Sequence, residues 1–372
     1  MNVIVLGLGG VGSAACYALA KLGHRVIGID QFSPPHAVGS SHGDTRIIRK
    51  SYFEHPSYVP LLIRAYSLWR ELEESIGKQL YYPTGLLEIG PPEGVVLGGV
   101  KQSAAEHSLP IETMSMEDAS KRYSGVRGDA AWQAILEKDA GYLLVEECVA
   151  AHLDQARKLG AAISVHERII DWESTESGVR VRTDRRVLEG DRMILSAGPW
   201  ALQSLKSVQV PLRVLRKHLY WYACETEEYR ERNGFPCFFF DTRTGYYYGF
   251  PDRDGGGLKV ARHSGGEEVN GAIDGRHDRD DEDQRLVERF LREYLPGVSL
   301  EQKRWSGCYY TMTPDEHFIV DRHPEDSNVI VVAGLSGHGF KFTSVLGEIA
   351  SELAVGREPS VDIGFLKIDR FQ

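Results

Sequence analysis

The opening segment of the chain, residues 2–30, most constrains the possible fold. An apolar run at 3–6 is followed by glycines, by a stretch of helical composition at 13–22 and by a second apolar run at 25–30. This order predicts a βαβ unit, because two strands joined by a helix lie parallel in one sheet. We therefore expect an α/β fold in which crossover helices cover a parallel sheet.

The glycines between the first strand and the helix fit the pattern G-x-G-x-x-G. Gly7 is expected to form the tight turn, Gly9 to let a pyrophosphate approach the backbone, and Gly12 to let the helix pack closely on the strand. Asp30 follows Gly12 by 18 residues. A carboxylate there can accept hydrogen bonds from an adenosine ribose and disfavours a 2′-phosphate. The segment predicts a dinucleotide site, with FAD and NAD both open.

Two later segments favour FAD over NAD. An apolar strand at 193–195 ends in the small residues 196–198, a turn that can lie beside the nucleotide on the same sheet. Near the C-terminus, a buried strand at 328–333 leads through a glycine-rich turn at 334–340 into a helix at 343–354. Backbone N–H groups at such a helix start suit the pyrimidine edge of a reduced, anionic flavin.

Charge and cysteine content exclude several classes of protein. The 372 residues include 43 Lys and Arg against 53 Asp and Glu, a formal charge of −10, whereas nucleic-acid binding needs a basic face. Five scattered cysteines without a CxxC pair indicate neither a zinc site nor a disulfide framework, and they suit a reducing compartment. Without a secretory signal or an apolar run of about 20 residues, we expect a cytoplasmic protein with no membrane segment.

The length and the changing character of the strands indicate two domains. Aromatic-rich strand signals between 219 and 250 are typical of an antiparallel sheet, unlike the α/β patterns at both ends of the chain. We expect an α/β (α+β) fold with a discontinuous Rossmann-like FAD-binding domain and a substrate-binding domain on a mixed or antiparallel sheet. The expected bounds are 1–80, 140–210 and 301–372 for the first domain, and 81–139 and 211–300 for the second.

Five segments, in the same order, resemble the monomeric sarcosine oxidase family. They are GSSHGDTRIIRKSY at 39–52, GYYYGFP at 245–251, GLKVARH at 257–263, CYYTMTPDEHFIVDRHP at 308–324 and AGLSGHGFKFTS at 333–344. N-methyltryptophan oxidase and pipecolate oxidase belong to the same wider group of D-amino-acid-oxidase-like flavoproteins. The resemblance covers essentially the whole chain.

The resemblance implies that FAD is attached covalently, through a thioether between Cys308 and the flavin 8α-methyl group. Arg46 matches an arginine near the flavin ring, and His42 and Asp44 fall in a loop that contacts the flavin. The expected cofactor-binding residues are Gly7, Gly9, Gly10, Val11, Gly12, Asp30, Gln31, His42, Arg46, Cys308, Gly337, Gly339 and Lys341.

The resemblance also implies a set of catalytic residues. Lys259 matches a lysine whose charge stabilises superoxide beside the flavin, where a low dielectric strengthens the interaction. Arg49 and Lys341 match a pair that binds the carboxylate of an amino acid, the arginine as a planar fork and the lysine as a point charge. The residues that match the substrate side of the flavin are His263, Tyr248 and Tyr310.

The implied activity is oxidation of a secondary amino acid at its C–N bond to an imine, with reduction of O2 to H2O2. A small N-methyl amino acid such as sarcosine is favoured. A cyclic imino acid and N-methyltryptophan stay open as substrates. The alternative functions that stay open are a deaminating D-amino-acid oxidase or dehydrogenase, an NAD-dependent dehydrogenase and a non-catalytic nucleotide-binding module. We expect the protein to be a monomer that binds the amino acid and O2. We expect no metal site.

Overall fold

The computed structural model describes residues 1–371 except 206–209, 270–272, 274, 276 and 277. The helices are α1 (Gly10–Lys21), α2 (Val59–Ile76), α3 (Val95–His107), α4 (Met116–Arg122), α5 (Val145–Lys158), α6 (Ala201–Ser204), α7 (Asp281–Tyr294) and α8 (Thr343–Ala354). The strands are β1 (Asn2–Leu6), β2 (Arg25–Ile29), β3 (Thr45–Ile48), β4 (Tyr81–Tyr82), β5 (Leu86–Gly90), β6 (Glu112–Ser115), β7 (Gln133–Glu137), β8 (Gly141–Leu144), β9 (Ala162–Ser164), β10 (Ile169–Thr175), β11 (Gly178–Thr183), β12 (Val187–Gly190), β13 (Arg192–Leu195), β14 (Arg213–Cys224), β15 (Cys237–Thr242), β16 (Gly245–Phe250), β17 (Leu258–Arg262), β18 (Glu267–Glu268), β19 (Val298–Met312), β20 (Ile319–His323) and β21 (Asp326–Ala333).

A six-stranded sheet joins the two ends of the chain, in the order β20-β21-β13-β1-β2-β9. β1 lies parallel to β2 and to β13, and β13 lies parallel to β21, while β20 is an antiparallel edge strand. Val3 and Val5 enter one hydrophobic core, and Ile4 and Leu6 enter the core on the opposite face. Burial on both faces explains the continuous apolar run of β1. The predicted βαβ unit and the α/β fold are confirmed.

The glycines of the first turn let α1 pack against the sheet. Gly7 has a φ of 83°, a left-handed conformation in which a side chain is strained. A Cβ on Gly12 would lie 1.8 Å from the Gly7 carbonyl oxygen. On the other side of α1, a Cβ on Gly347 of α8 would lie 2.5 Å from that of Ala14, so the two helices are in close contact. These approaches hold the start of α1 at the carboxyl end of β1.

A larger mixed sheet has the order β18-β14-β17-β16-β15-β5-β7-β6, with β19 paired to β14. β5 and β15 are parallel, and the other pairs are antiparallel. Phe238 and Phe240 pack towards Phe290 of α7, while Phe239 and Tyr248 face the other side. β19 crosses the domain boundary predicted at 300 and pairs with β14. The division into two domains stays a prediction.

Two glycine substitutions in helices test the packing of α1. We expect Gly12→Ala to lower the free energy of unfolding by about 1–3 kcal/mol, because the added methyl group collides with backbone. Gly98→Ala is the matched control in α3, where an added Cβ meets nothing within 4 Å. Its expected effect is a gain of about 0.5–1 kcal/mol from helix propensity. Urea unfolding of both variants measures the difference, and equal effects would contradict the packing described.

Candidate active site

A cavity extends from the first glycine turn to the face of the mixed sheet that carries Phe239. Its walls include residues of the turn after β13, of β19 and of the turn before α8. Most of the predicted site residues line it, although they come from distant parts of the sequence. They are Gly7, Gly9, Gly10, Val11, Asp30, Gln31, Arg46, Arg49, Tyr248, His263, Cys308, Tyr310, Gly337, Gly339 and Lys341.

Three of the expected cofactor-binding and catalytic residues lie behind the cavity wall, while Asp44 is exposed and pairs with Arg304. Gly12 packs against the Gly7 carbonyl oxygen, as its predicted packing role requires. The buried His42 ring has its Nε2 atom 3.0 Å from the carbonyl oxygen of Gly39. Lys259 is the third, and only 2% of it is exposed. These residues shape the wall from behind.

The end of the cavity at β1 and β2 fits a dinucleotide. An added Cβ on Gly9 would meet only Ser41, at 3.3 Å, so the backbone there is open to a phosphate. The Gly10 amide donates to Ser41 Oγ at 3.1 Å. The two oxygens of Asp30 accept from the amides of Leu8 and Phe32, each at 2.8 Å. An ionised carboxylate has further acceptor positions, which a ribose hydroxyl can use.

Cys308 lies in the cavity wall beside a cation. Its sulfur accepts a hydrogen bond from Arg46 Nη2 at 3.4 Å, and the residue is 1% exposed. Arg46 is held in place because it also donates to the carbonyl oxygens of Thr45 and Ser40, at 2.9 and 3.1 Å. Both Cys308 and Arg46 line the cavity, so a sulfur atom and a cation lie side by side in its wall. The residues present therefore fit a cysteine-linked flavin.

Two other cysteines have surroundings of the opposite kind. Cys16 in α1 and Cys148 in α5 are packed in the hydrophobic core. Burial raises the pKa of both thiols. A buried thiol with a raised pKa is inert, so the position of Cys308 beside Arg46 in the cavity distinguishes it from these two.

Arg49 and Lys341 are brought together by the ring of Tyr52. The guanidinium carbon of Arg49 is 4.2 Å from the ring centroid, and Lys341 Nζ is 5.1 Å from it. Lys341 Nζ also donates to the carbonyl oxygen of His338 at 2.7 Å. Both cations are buried and line the cavity. Such a pair can bind one carboxylate.

Glu54 is a charged residue of the cavity wall that was not predicted from the sequence. Arg49 Nη2 donates to both of its oxygens, at 2.9 and 2.6 Å, and Glu54 also lines the cavity. Burial alone would raise the pKa of Glu54, but the charge of Arg49, with His338 and Lys341, lowers it to about 2. The signal available in the sequence was the negative charge of Glu54, five residues after Arg49.

Burial lowers the pKa of Lys341 to about 7, and repulsion from Arg49 adds to this effect. The carboxylate of Glu54 acts in the opposite direction. A further anion beside Lys341 would favour its charged form. The pair of cations is therefore suited to receive a negatively charged group.

An aromatic wall without charge faces this pair. His263 Nδ1 lies 3.3 Å from the hydroxyl of Tyr310, and the His263 ring is 6.1 Å from that of Tyr248 and 5.9 Å from that of Phe239. Burial, with repulsion from Lys217, lowers the pKa of His263 to about 3. Burial also raises the pKa of both tyrosines. The imidazole and the phenols are therefore neutral near neutral pH.

Lys259 is enclosed by backbone oxygens and aromatic rings. Its Nζ donates to the carbonyl oxygens of Gly43 and Thr45, at 2.5 and 2.7 Å. The same atom lies 4.5 Å from the ring of Phe250 and 5.4 Å from that of Trp221. Burial, followed by repulsion from Arg46, holds the pKa of Lys259 well below its usual range. An anion formed nearby would favour its charged form.

Comparison with known proteins identifies relatives along the full chain. A family model described as FAD dependent oxidoreductase matches residues 2–353. Monomeric sarcosine oxidase from Arthrobacter sp. (strain TE1826) is 39% identical over 99% of this chain and 96% of its own. N-methyl-L-tryptophan oxidase from Yersinia pestis (strain Pestoides F) is 36% identical over 100% of this chain and 99% of its own.

Solved structures share the fold at lower sequence identity. NikD, described as an unusual amino acid oxidase essential for nikkomycin biosynthesis, has a TM-score of 0.85 and 23% identity, covering 98% of this chain and 96% of its own. L-proline dehydrogenase from P. horikoshii has a TM-score of 0.84 and 19% identity, covering 100% and 97%. These two structures support the architecture described above.

Proposed function

The chain belongs to the FAD-dependent oxidoreductase family, and on this basis we propose that it oxidises a secondary amino acid and passes the electrons to O2. Family membership confirms the resemblance found in the five sequence segments. The observation that carries the substrate proposal is the pairing of Arg49 and Lys341 across Tyr52 in the cavity wall. The relatives named sarcosine oxidase favour a small N-methyl amino acid as the substrate.

FAD would be held by residues at both ends of the cavity. The open backbone at Gly9 would receive the pyrophosphate, Asp30 the ribose, and Cys308 the covalent link to the flavin. The hydrogen bond from Arg46 to the sulfur supports the last assignment. When bound, FAD supplies the acceptor for two electrons.

The residues around the cavity would orient the amino acid and favour its neutral amine. Arg49 and Lys341 would bind the carboxylate, which fixes the amino acid in one orientation and removes a large entropic barrier. The same two cations disfavour a positively charged ammonium group nearby. The neutral His263 and Tyr310 offer it no counter-ion, and the carboxylate of Glu54 is already paired with Arg49. The lone pair of the amine is then free to assist loss of hydride from the adjacent carbon.

Lys259 would serve the oxygen half of the reaction. Its amino group is buried among carbonyl oxygens and aromatic rings, where an adjacent anion is poorly screened. Superoxide formed near Lys259 would favour the charged form of its side chain, and that cation would stabilise the anion.

Assembly, location and domain division are also proposals. The relatives named monomeric sarcosine oxidase support a monomer, and the scattered cysteines support a cytoplasmic location. Within the described part of the chain, no helix is long and apolar enough to cross a bilayer. The two sheets would form the cores of the FAD-binding and substrate-binding domains.

Anaerobic titration tests the activity directly. The purified yellow protein is titrated with sarcosine, pipecolate, proline and N-methyltryptophan while the flavin absorbance is recorded. We expect sarcosine to bleach the flavin at the lowest concentration, and peroxide to appear when air is admitted. If none of the four amino acids bleaches the flavin, the proposed substrate class is wrong.

Acid precipitation tests the covalent link. The yellow chromophore of the wild-type protein is expected to stay in the pellet, whereas Cys308→Ser, supplied with FAD, should release it to the supernatant because no sulfur is available. Cys224→Ser is the control, since that residue is not in the cavity wall, and its flavin should stay in the pellet. Complete release of flavin from the wild-type protein would exclude the link.

A further inference from the structure

Glu88 is a buried carboxyl group in an apolar strand. It lies in β5, where Leu87 and Ile89 point into the core towards α7 and Leu86 lies in the core on the opposite, cavity-facing side. Glu88 is 0% exposed, and within the described part of the chain neither carboxyl oxygen has a hydrogen-bond partner. Buried polar groups are almost always hydrogen-bonded, so a buried carboxyl group without such a bond calls for an explanation.

The nearest charge to Glu88 is the guanidinium of Arg49. Arg49 Nε lies 3.8 Å from Glu88 Oε1, beyond hydrogen-bond distance. Arg49 Nη2 is bound to Glu54 on its other side, and its Nη1 donates to the Ser51 carbonyl oxygen at 2.9 Å. Arg49 is therefore held between two carboxyl groups, of which Glu54 lines the cavity and Glu88 does not.

The elements packed around Glu88 contribute few other charges. On the neighbouring strands, the residues paired with it are Ile135 of β7 and Phe239 of β15, both apolar. Glu137 of β7 acts on it electrostatically, and so does Lys341 from the turn before α8. Glu137 is engaged, because its oxygens accept from the amides of Lys50 and Ser51 at 2.8 Å each.

We propose that Glu88 is a positioning residue for Arg49, and that the proton on its carboxyl group controls how strongly the cavity binds the carboxylate of an amino acid. This inference rests on the proposed function and deepens it. Neither the glycine pattern nor the family resemblance identified Glu88.

The balance of charge around a bound carboxylate supports the proposal. While Lys341 is protonated, Arg49 and Lys341 provide two positive charges, and Glu54 with the bound carboxylate provides two negative charges. A protonated Glu88 leaves this group of charges balanced, whereas an ionised Glu88 adds a third negative charge out of contact with water. Binding of the carboxylate and protonation of Glu88 must therefore favour each other, since such coupling is reciprocal.

The titration of Glu88 falls in an accessible pH range. Burial raises its pKa to about 8, against the lowering effect of Arg49 and with a contribution from Glu137 and Glu54. The carboxyl group is thus neutral below this pH and loses its proton above it, so carboxylate binding should weaken as the pH rises. Lys341, with a pKa lowered to about 7 by burial and Arg49, acts in the same direction. A test must separate the two residues.

Methoxyacetate separates the titration of the protein from that of the substrate. It has the shape of sarcosine with an ether oxygen in place of the amine, so it carries no titrating amine. Its dissociation constant is measured by calorimetry on the flavin-loaded protein, at about pH 7 and about pH 9. Glu88→Gln preserves the shape of the side chain but cannot ionise, and it retains Lys341, so both proteins contain that titrating lysine. Glu93→Gln, an exposed change in the loop after β5, is the matched control.

The expected result is a change in the ratio of two dissociation constants. At each pH, the dissociation constant of the wild-type protein is divided by that of Glu88→Gln. This ratio should rise about tenfold from the lower to the higher pH, because only the wild-type protein must take up a proton on Glu88 before it binds the ligand. Glu88→Leu suits the apolar strand and should behave like Glu88→Gln. Agreement between the two variants would show that the effect does not come from misfolding of one of them. Glu93→Gln should follow the wild-type protein.

Two results would overturn the proposal. A ratio that does not change with pH would show that Glu88 has no effect on carboxylate binding, while leaving the proposed oxidase function intact. Wild-type protein that binds no methoxyacetate at either pH would overturn the proposed carboxylate site, and this inference with it.

Discussion

The burial of several positive charges where the two sheets meet is the constraint on which the rest of the site depends. Arg46, Arg49, Lys259 and Lys341 are all held in or behind one cavity wall. Cations removed from water need hydrogen-bond acceptors, or they lose their protons. The loop from 39 to 54 and the turn before α8 supply such acceptors.

Most of the hydrogen-bond acceptors that surround these buried cations are uncharged. Lys259 donates to the carbonyl oxygens of residues 43 and 45, and Lys341 to that of residue 338. Carbonyl dipoles stabilise a cation without cancelling its charge, so the cavity keeps an attraction for anions. Arg49 is different because Glu54 neutralises it directly, and a bound carboxylate must compete with that ion pair. In the proposed site, substrate binding would thus redistribute charge among groups that are already buried.

Local patterns in the sequence predicted the parts of the fold that depend on near neighbours. Gly7 and Gly12 could be assigned to turn and packing because both roles are set within one βαβ unit. The position of Tyr52 between Arg49 and Lys341 could not be predicted, because it depends on the packing of segments nearly 300 residues apart. Glu88 interrupts the apolar run of β5, which was a signal, but its distance from Arg49 is a property of the tertiary structure. Family resemblance identified the cations and gave no information on the carboxyl groups between them.

We propose that the pair of Arg49 and Lys341 selects a substrate by its carboxylate group. Anaerobic titration of the flavin with sarcosine and with dimethylamine tests this directly, because dimethylamine keeps the N-methyl amine and lacks the carboxylate. We expect sarcosine to bleach the flavin at concentrations where dimethylamine leaves the absorbance unchanged. Equal bleaching by the two compounds would contradict it.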